Sequence, residues 1–437
     1  MAESAQSAAS GRALSGRRLY GRKRRLNGVS GQLSAVVLLT LMKILSAISS
    51  FWFLGVAAIP FIYYLIVIYS SWRYFRAARH SAVLDPDFIP AVSILKPMRG
   101  QDPGAYENFA SFCCQDYPHY EIILCVDPDD QAVLPIVERL RRNFPERTIR
   151  VLYGSGRIAT NDKVAKLARL VNEAEHEVVV ISDSDVRVRP DYLRQVTAPL
   201  ARPGVGAVTC FYVSVEDKTF SDHLQNIGMM SDFYAGILVA WQLDGIKFAL
   251  GPTIATTRTR LAGFGGYAAI ENRPADDLLV GRLIADQGCE VVLLPYTIQT
   301  VADYASLGEL LYKRLRWIVV MRNLRPAGHF GLIFTQGLAW TLAAVAFHPA
   351  AAVALGFFGA YFLLRLAMTG IIAGWGLDQP CSLKRFWLIP MWDAVACAIW
   401  LISFSRNSIR WRGADYYIRE GQLVPVASSP EKHRAAA

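Results

Sequence analysis

The sequence predicts an α/β fold, in which helices cover a parallel-rich sheet, with transmembrane helices at both ends of the chain. Strand-like and helix-like segments alternate through residues 86–320, a pattern typical of a parallel sheet with helices on both faces. The 437-residue chain is also 53% hydrophobic with a mean hydropathy of +0.25. Its apolar residues concentrate at 31–70 and 330–404. A soluble enzyme of this size is rarely so apolar, so we expect membrane segments.

Runs of β-branched and aromatic residues define the expected strands, and the segments between them define the expected helices. The predicted strands are residues 91–95, 120–126, 149–152, 178–181 and 205–212. The predicted helices are residues 106–114, 133–143, 162–175, 191–199 and 220–242, and a further helix begins at Asp276. Because the segment 220–242 mixes apolar and polar residues, we expect it to lie along the membrane, to line a substrate cleft, or simply to cover the sheet.

Four segments are apolar enough to cross a bilayer, and their length and clustering argue against buried core helices. They are residues 51–70, 330–347, 348–374 and 386–404. The first contains Pro60, which a spanning helix tolerates. The last two carry Arg365 and Asp393, which we expect to pair with each other or to face a lipid entrance. The resulting domains are a basic disordered tail (1–41), a transmembrane region (42–72), the α/β domain (86–320), C-terminal transmembrane helices (330–405) and a basic tail (406–437).

The formal net charge of +10 has two interpretations, nucleic-acid binding and contact with a membrane surface. The chain has no recognisable nucleic-acid-binding module, and basic residues follow both the first and the last predicted span. These residues are Arg73, Arg76, Arg79, Arg406, Arg410 and Arg412. Since positive charge marks the cytosolic side of a span, we predict a multi-pass protein of the inner membrane. Its α/β domain then lies in the cytosol, and it has no nucleic-acid partner.

The N-terminal segment is rich in Ser, Gly and Ala and has seven basic residues between Arg12 and Arg25, a composition typical of disorder. Met42 begins a compact segment that leads into the first span, so we hypothesise that the physiological protein starts there. N-terminal sequencing that found peptides from before Met42 would contradict this. The seven cysteines show neither a paired framework nor zinc spacing, and we expect reduced, buried thiols.

Asp183 and Asp185 directly follow the apolar run 178–181. In a parallel sheet, function collects beyond the carboxyl ends of the strands, where neighbouring loops separate. Two carboxylates there are suitable ligands for Mg²⁺ or Mn²⁺. Such an ion usually keeps further coordination positions for water and for substrate phosphate. Asp-x-Asp alone is common in solvated turns, and its position at the end of a buried strand makes the metal interpretation the stronger one.

Two later features add to this pattern. Asp276 and Asp277 open a helix, where the helix dipole stabilises negative charge, and two successive aspartates exceed what an N-cap requires. Arg316 and Trp317 lie just before the C-terminal spans. Arg316 can pair in a bidentate manner with a phosphate or a carboxylate, and Trp317 can form an apolar wall. The alternative interpretation of this Arg-Trp pair is anchoring at the membrane interface.

The order of these motifs resembles the processive and lipid-modifying glycosyltransferases of the family 2 type. More narrowly, it resembles glycosyltransferase family 21, the ceramide glucosyltransferase family, which includes bacterial enzymes of hopanoid biosynthesis. The local matches are residues 93–100, 116–121, 124–126, 183–188, 285–288 and 409–413, spread over roughly residues 50–422.

The resemblance implies a GT-A-type domain that transfers glucose or N-acetylglucosamine from a UDP-sugar to a lipid hydroxyl of ceramide or a hopanoid, with inversion. It implies that Asp277 is the catalytic base with Asp276 beside it, and that Arg316 and Trp317 close over the diphosphate and the acceptor. The implied donor-binding residues are Lys96, Asp130, Lys163, Asp183, Asp185 and Lys313, of which Asp183 and Asp185 hold Mg²⁺ or Mn²⁺.

Two positions depart from the family pattern. Lys313 stands where the family usually carries Gln or Arg, and Asp232 lies in a segment where the animal enzymes carry His, which weakens the case for ceramide as the acceptor. The alternative enzymes are a polyprenyl-phosphate sugar transferase and a polysaccharide synthase, although the latter needs more spans for a polymer channel. A non-catalytic membrane transporter or scaffold is a further alternative, but a transporter would carry its ionisable residues inside spans.

Overall fold

The computed structural model describes residues 50–80, 87–100, 102–130, 132–156, 159–214, 218–301, 306–411 and 414–426. An eight-stranded sheet lies at the centre, with the strand order β3-β2-β1-β4-β7-β6-β8-β5. The strands are β1 (Val92–Pro97), β2 (Tyr120–Val126), β3 (Thr148–Tyr153), β4 (Val178–Ile181), β5 (Val186–Arg187), β6 (Val205–Ser214), β7 (Ile254–Thr257) and β8 (Glu290–Thr300). The predicted N-terminal tail and the proposed start at Met42 lie outside the described residues.

The sheet is parallel in its first half and mixed in its second. β1 runs parallel to β2 and β4, β2 to β3, and β6 to β8, whereas β7 is antiparallel to both β4 and β6, and β5 is antiparallel to β8. All residues of β1, β2 and β4 are buried, because helices cover both faces of the sheet. This confirms the α/β fold class and the five predicted strands, whereas β5, β7 and β8 were not predicted.

The helices of the α/β domain follow the predicted pattern. They are α2 (Ala105–Cys113), α3 (Leu134–Asn143), α4 (Asp162–Glu173), α5 (Tyr192–Thr197), α6 (Phe220–Gly228), α7 (Tyr234–Asp244), α8 (Arg258–Ala262), α9 (Asp276–Ala285) and α10 (Leu307–Leu324). The predicted helix 220–242 is continuous from α6 to α7 but contains a π-helical turn at Met229–Phe233. Such turns insert an extra residue and often mark functional segments.

Among the described residues, three helices are long and apolar enough to cross a membrane, or four if a bent pair forms one span. These are Ser50–Arg79, which includes α1 (Ile59–His80), then Ala351–Gly376 and Phe386–Ser403, and the bent pair is Pro326–Thr335 with Gly337–Phe347. The bent pair contains α11 (Pro326–Gly331) and α12 (Gly337–Phe347). The two following spans contain α13 (Ala351–Thr369) and α15 (Ile389–Ser403), and the short α14 (Pro380–Leu383) lies between them.

The predicted span 330–347 is not one straight helix, because the chain bends by 54° near Gln336. At the bend Tyr64 donates to the Thr335 carbonyl at 3.2 Å and accepts from the Gly337 amide at 3.1 Å. A side chain that inserts into the backbone ladder in this way bends a helix. A Cβ on Gly337 would lie 2.3 Å from the Tyr64 hydroxyl, so only glycine permits this approach.

The described residues divide into two compact units. The smaller contains residues 50–59 and 340–357, in which the rings of Phe53 and Phe347 lie 4.8 Å apart. The larger contains the remaining residues, including both sheets. Within it, Arg365 and Asp393 pair as one of the sequence-based alternatives expects, with Nε 3.0 Å from Oδ2. Because each charge is neutralised by the other, their presence in apolar helices does not call for a transport function.

A second sheet follows the last membrane helix, inside the segment predicted to be only a basic tail. It consists of β9 (Ser408–Trp411), β10 (Ala414–Arg419) and β11 (Gln422–Pro425), all antiparallel. Its buried residues Ile409, Ile418 and Leu423 pack against Val319 and Val320 of α10. The chain therefore returns from the membrane helices to the α/β domain.

Candidate active site

The turn after β4 carries the predicted metal ligands. Because β4 is buried on both faces and lies between β1 and β7, Asp183 and Asp185 emerge at the centre of the sheet edge. Burial and the neighbouring Asp183 charge raise the pKa of Asp185 to about 6. Two carboxylates two residues apart have the charge and the ligand chemistry that suit Mg²⁺ or Mn²⁺.

Lys96 supports this turn from inside the fold. Its side chain has no exposed surface, and its Nζ donates to the Asp183 carbonyl at 2.8 Å and to Ser182 Oγ at 3.4 Å. Burial lowers the pKa of Lys96 to about 7, and Nζ lies 3.7 Å from the centre of the Phe112 ring. Lys96 therefore holds the Asp183 turn in place, and its direct contact with a donor stays a prediction.

Asp276 and Asp277 open α9 opposite that turn. Asp277 Oδ2 accepts the Gly251 amide at 2.9 Å, and its Oδ1 accepts the Leu278 amide at 2.8 Å. Burial, and then the charge of Asp276, raise the pKa of Asp277 to about 6. A carboxyl group with this pKa is ionised at neutral pH and is a stronger base than an ordinary aspartate.

Gly251 lies between the two carboxylate pairs. A Cβ at this position would lie 3.0 Å from Asp277 Oδ2 and 3.5 Å from Asp183 Oδ2. Gly251 was not predicted from the sequence to be a site residue. The signal available was the Gly-Pro step at 251–252, but nothing local indicates that it approaches residues 68 and 26 positions away.

Lys163 joins the two pairs. Its Nζ lies 2.8 Å from Asp183 Oδ1 and 3.2 Å from Asp276 Oδ2. Burial opposes its charge, but Asp183 and Asp276 outweigh that effect and raise the pKa of Lys163. Asn161 caps α4 through the Val164 amide, which fixes the first turn of the helix that presents Lys163. The structure thus brings together the predicted residues 163, 183, 276 and 277.

The remaining predicted residues lie in the loop after β2 and on α10. Asp130 Oδ2 accepts the Gly100 amide at 2.6 Å, between the loops that follow β2 and β1. On α10, the Lys313 charge acts on Asp185, and the Trp317 ring lies 5.9 Å from that of Phe233 in the π-helical turn. The Arg316 guanidinium lies 5.9 Å from the Trp411 ring, so it is on the side of α10 that faces the second sheet.

A second cluster of potential metal-ligating residues already has partners within the protein. Glu121, Glu175 and His176 place ligand atoms close together. However, Glu121 already accepts Ser93 Oγ at 2.6 Å and the Glu175 amide at 2.8 Å, and Arg150 pairs with it at 2.9 Å. Since these contacts satisfy the buried carboxylate, the group is a structural ion-pair network.

The chain matches known proteins over most of its length. The family model described as Glycosyl transferase family 21 matches residues 52–424. Ceramide glucosyltransferases 3 and 1 of Caenorhabditis elegans are 22% and 23% identical to this chain over 275 and 288 residues. Each alignment covers 63% of this chain, which spans 59% and 61% of the length of those two relatives.

A further curated relative and a solved structure are also similar to parts of this chain. The ceramide glucosyltransferase of Komagataella phaffii is 28% identical over 141 residues, which cover 30% of this chain and 28% of that protein. Among solved structures, a mannosyltransferase from Pyrobaculum calidifontis in complex with GDP-Man and Mn²⁺ has a TM-score of 0.47 and 21% identity. That alignment covers 79% of this chain and 99% of the mannosyltransferase chain.

Proposed function

The chain belongs to glycosyl transferase family 21, and we propose that it transfers a hexose from a UDP-sugar to a hydroxyl group of a membrane lipid, with inversion at the anomeric carbon. The hexose is glucose or N-acetylglucosamine, and the lipid is ceramide or a hopanoid. The observation that carries the proposal is the convergence of two carboxylate pairs on Gly251 and Lys163 at the carboxyl edge of the sheet.

Asp277 is the proposed catalytic base. The acceptor hydroxyl gives its proton to the Asp277 carboxylate, and its oxygen attacks the anomeric carbon from the face opposite UDP. The bond between that carbon and the diphosphate oxygen breaks, and its electron pair leaves with UDP. Because one displacement with one base needs no covalent intermediate, the anomeric centre inverts. The raised pKa of Asp277 makes its carboxylate a better proton acceptor at neutral pH.

The donor diphosphate is proposed to bind at Asp183 and Asp185. Their carboxylates suit Mg²⁺ or Mn²⁺, which would neutralise the charge on the leaving diphosphate. Lys313 and Arg316 approach from α10 and can pair with phosphate oxygens. Asp130, at the loop after β2, is proposed to contact the nucleotide. Lys96 and the Asp183 carbonyl keep the turn in place from below.

The acceptor is proposed to arrive from the membrane. The apolar helices before and after the α/β domain suit a multi-pass protein of the inner membrane, and the basic residues that follow α1 favour a cytosolic site. The rings of Trp317 and Phe233, whose centres lie 5.9 Å apart, are proposed to form an apolar wall for the acceptor. A lipid hydroxyl held there can reach Asp277 without leaving the bilayer entirely.

A matrix of donors and acceptors tests this function. Purified full-length protein in detergent with Mg²⁺ or Mn²⁺ receives radiolabelled UDP-glucose or UDP-N-acetylglucosamine, and ceramide, bacteriohopanetetrol or polyprenyl phosphate. We expect glycolipid from one pair, and none from Asp277→Asn. The matched control is Asp286→Asn, which removes the exposed Asp286 carboxylate that pairs with Arg282 at the far end of α9, and it should retain activity.

The other outcomes favour the alternative functions. Product formed with polyprenyl phosphate alone would indicate a polyprenyl-phosphate sugar transferase, and a sugar polymer would indicate a polysaccharide synthase. If no UDP-sugar bound to the folded wild-type protein, the enzyme proposal would fail and a transporter or scaffold would be favoured.

A further inference from the structure

The second sheet, β9 to β11, contacts the loop that carries the catalytic carboxylates. The Leu423 amide in β11 donates to the Asn272 carbonyl at 2.7 Å, four residues before Asp276. Leu423 pairs with Ile418 across the sheet, but its amide points out of the ladder towards the loop. Ala275, the residue directly before Asp276, packs against the hydrophobic cluster that Leu423 and Ile418 form with α10.

The backbone of Ala275 is in a conformation that this contact helps to maintain. Its φ of 55° and ψ of 58° are left-handed, a region in which the Cβ of an alanine crowds the following carbonyl. A non-glycine residue persists there only when its surroundings impose the conformation. Because Asp276 and Asp277 follow at once, this backbone conformation sets the direction in which both carboxylates leave the helix.

The same loop is held from the other side by the start of α4. The Asn161 amide donates to the Glu271 carbonyl at 3.0 Å, and Asn161 Nδ2 donates to the Arg273 carbonyl at 2.9 Å. The loop 271–275 is therefore fixed between the helix that presents Lys163 and the strand that contains Leu423. Removing either contact leaves the left-handed Ala275 supported on one side only.

The second sheet also contacts α10. The Trp411 ring in β9 lies 5.9 Å from the Arg316 guanidinium, and the Arg410 amide donates to the Tyr312 hydroxyl at 2.6 Å. Both contacts are to α10, which also carries Lys313 and Trp317. One element beyond the last membrane helix thus contacts both the loop before Asp277 and the helix that carries Arg316.

We infer that the β9–β11 sheet is a positioning element of the active site, with Leu423 and Trp411 as its positioning residues. Leu423 sets the placement of Asp277 through Ala275, and Trp411 sets the placement of Arg316. The inference rests on the proposed role of Asp277 as the base. It assigns a function to Trp411, to which the proposed reaction gives none.

Leu423→Ala tests the first half of this inference. We expect a roughly tenfold loss of kcat, because small displacements of a base are costly. The KM for the UDP-sugar should change less than twofold, since Asp183 and Asp185 lie on another loop. The control is Val424→Ala, the next residue of β11, which lies outside the cluster around Leu423. Melting temperatures of both variants, and the milder Leu423→Val, separate positioning from loss of folded protein.

A rescue variant provides the sharper measurement. Glycine adopts the left-handed conformation without a steric penalty, so the loss of kcat caused by Leu423→Ala should be several-fold smaller in an Ala275→Gly background than in the parent enzyme. If Leu423→Ala lowered kcat equally in the parent enzyme and in the Ala275→Gly background, the role of Leu423 would be overturned. If Asp277→Asn were fully active, the base assignment would fail first. Inactive Asp277→Asn together with unaffected Leu423→Ala would refute the inference alone.

Trp411 is tested by its effect on the donor. Trp411→Ala should raise the KM for the UDP-sugar about as much as Arg316→Lys does, and the double variant should be no worse than either single change. Independent, multiplying effects would show that Trp411 does not act through Arg316.

Discussion

Replacing Gly251 with alanine is the most direct test of the site, because Gly251 donates to Asp277 and a side chain added there would also contact Asp183. The new Cβ would lie 3.0 Å from Asp277 Oδ2 and 3.5 Å from Asp183 Oδ2. Gly251 is not among the glycines with positive φ, so alanine fits its backbone. The perturbation is therefore confined to the carboxylates, of which Asp277 must move by a few tenths of an ångström and lengthen its 2.9 Å bond to the Gly251 amide.

The magnitude follows from that bond. A hydrogen bond to a charged acceptor contributes about 1.5–3 kcal/mol, and each ~1.36 kcal/mol of barrier changes a rate tenfold. If Gly251→Ala breaks the bond in the transition state, kcat/KM should fall roughly 10- to 150-fold. Initial rates measured with the donor and acceptor pair identified in the matrix provide the assay.

A second glycine serves as the control. Gly236 lies in α7 with nothing within 4 Å of an added Cβ, so Gly236→Ala should keep wild-type kinetics and melt no earlier. If Gly251→Ala stayed within twofold of wild type while folding normally, the reasoning that links this glycine to the base would be refuted.

Four further predictions follow from the same geometry. Asp277→Asn should bind UDP with wild-type affinity in calorimetry and turn over at least ~1000-fold more slowly; a rate near wild type would exclude Asp277 as the base. Since the pKa of Asp277 is raised to about 6 and the base must be ionised, kcat/KM should decline as pH falls through about 6, and a decline only below pH ~4, the ordinary aspartate range, would contradict this. Asp183→Ala should weaken metal and donor binding together in titrations with Mn²⁺ and UDP, and unchanged metal dependence would reject the ligand assignment. Arg316→Lys should lower kcat/KM by tenfold or more if bidentate pairing matters, whereas an unaffected enzyme would favour membrane anchoring.

The parts of the fold that local sequence determines were predictable. β4 is a run of four β-branched residues that is buried on both faces, and such a run followed by Asp183 can only end at the sheet edge. The membrane helices were equally visible, because their signal is length and apolar composition. The bend at Gln336 was not, since it depends on the hydroxyl of Tyr64, which is 271 residues from its partner Thr335.

The site was predictable in its parts but not in its arrangement. Asp183 and Asp277 each follow a local signal, the end of a strand and the start of a helix. Their approach depends on Gly251, which lies just before β7, a four-residue strand inserted antiparallel between β4 and β6. The support from Leu423 depends on a sheet that forms after the last membrane helix. Both contacts join segments distant in sequence, so no periodicity or spacing reports them.

The lysine at the centre of the site explains how four aspartates can share one edge of the sheet. Lys163 contacts one member of each pair, Asp183 at 2.8 Å and Asp276 at 3.2 Å. The other members, Asp185 and Asp277, are the two whose pKa values are raised to about 6 by burial and by the neighbouring carboxylate. The Lys163 ammonium group therefore connects the two segments through Asp183 and Asp276. The negative charges of Asp185 and Asp277 have no such direct contact with Lys163. We propose that the Asp185 charge serves a metal ion and the Asp277 charge a proton. The arrangement that stabilises the two loops would then also separate the proposed metal site from the proposed base.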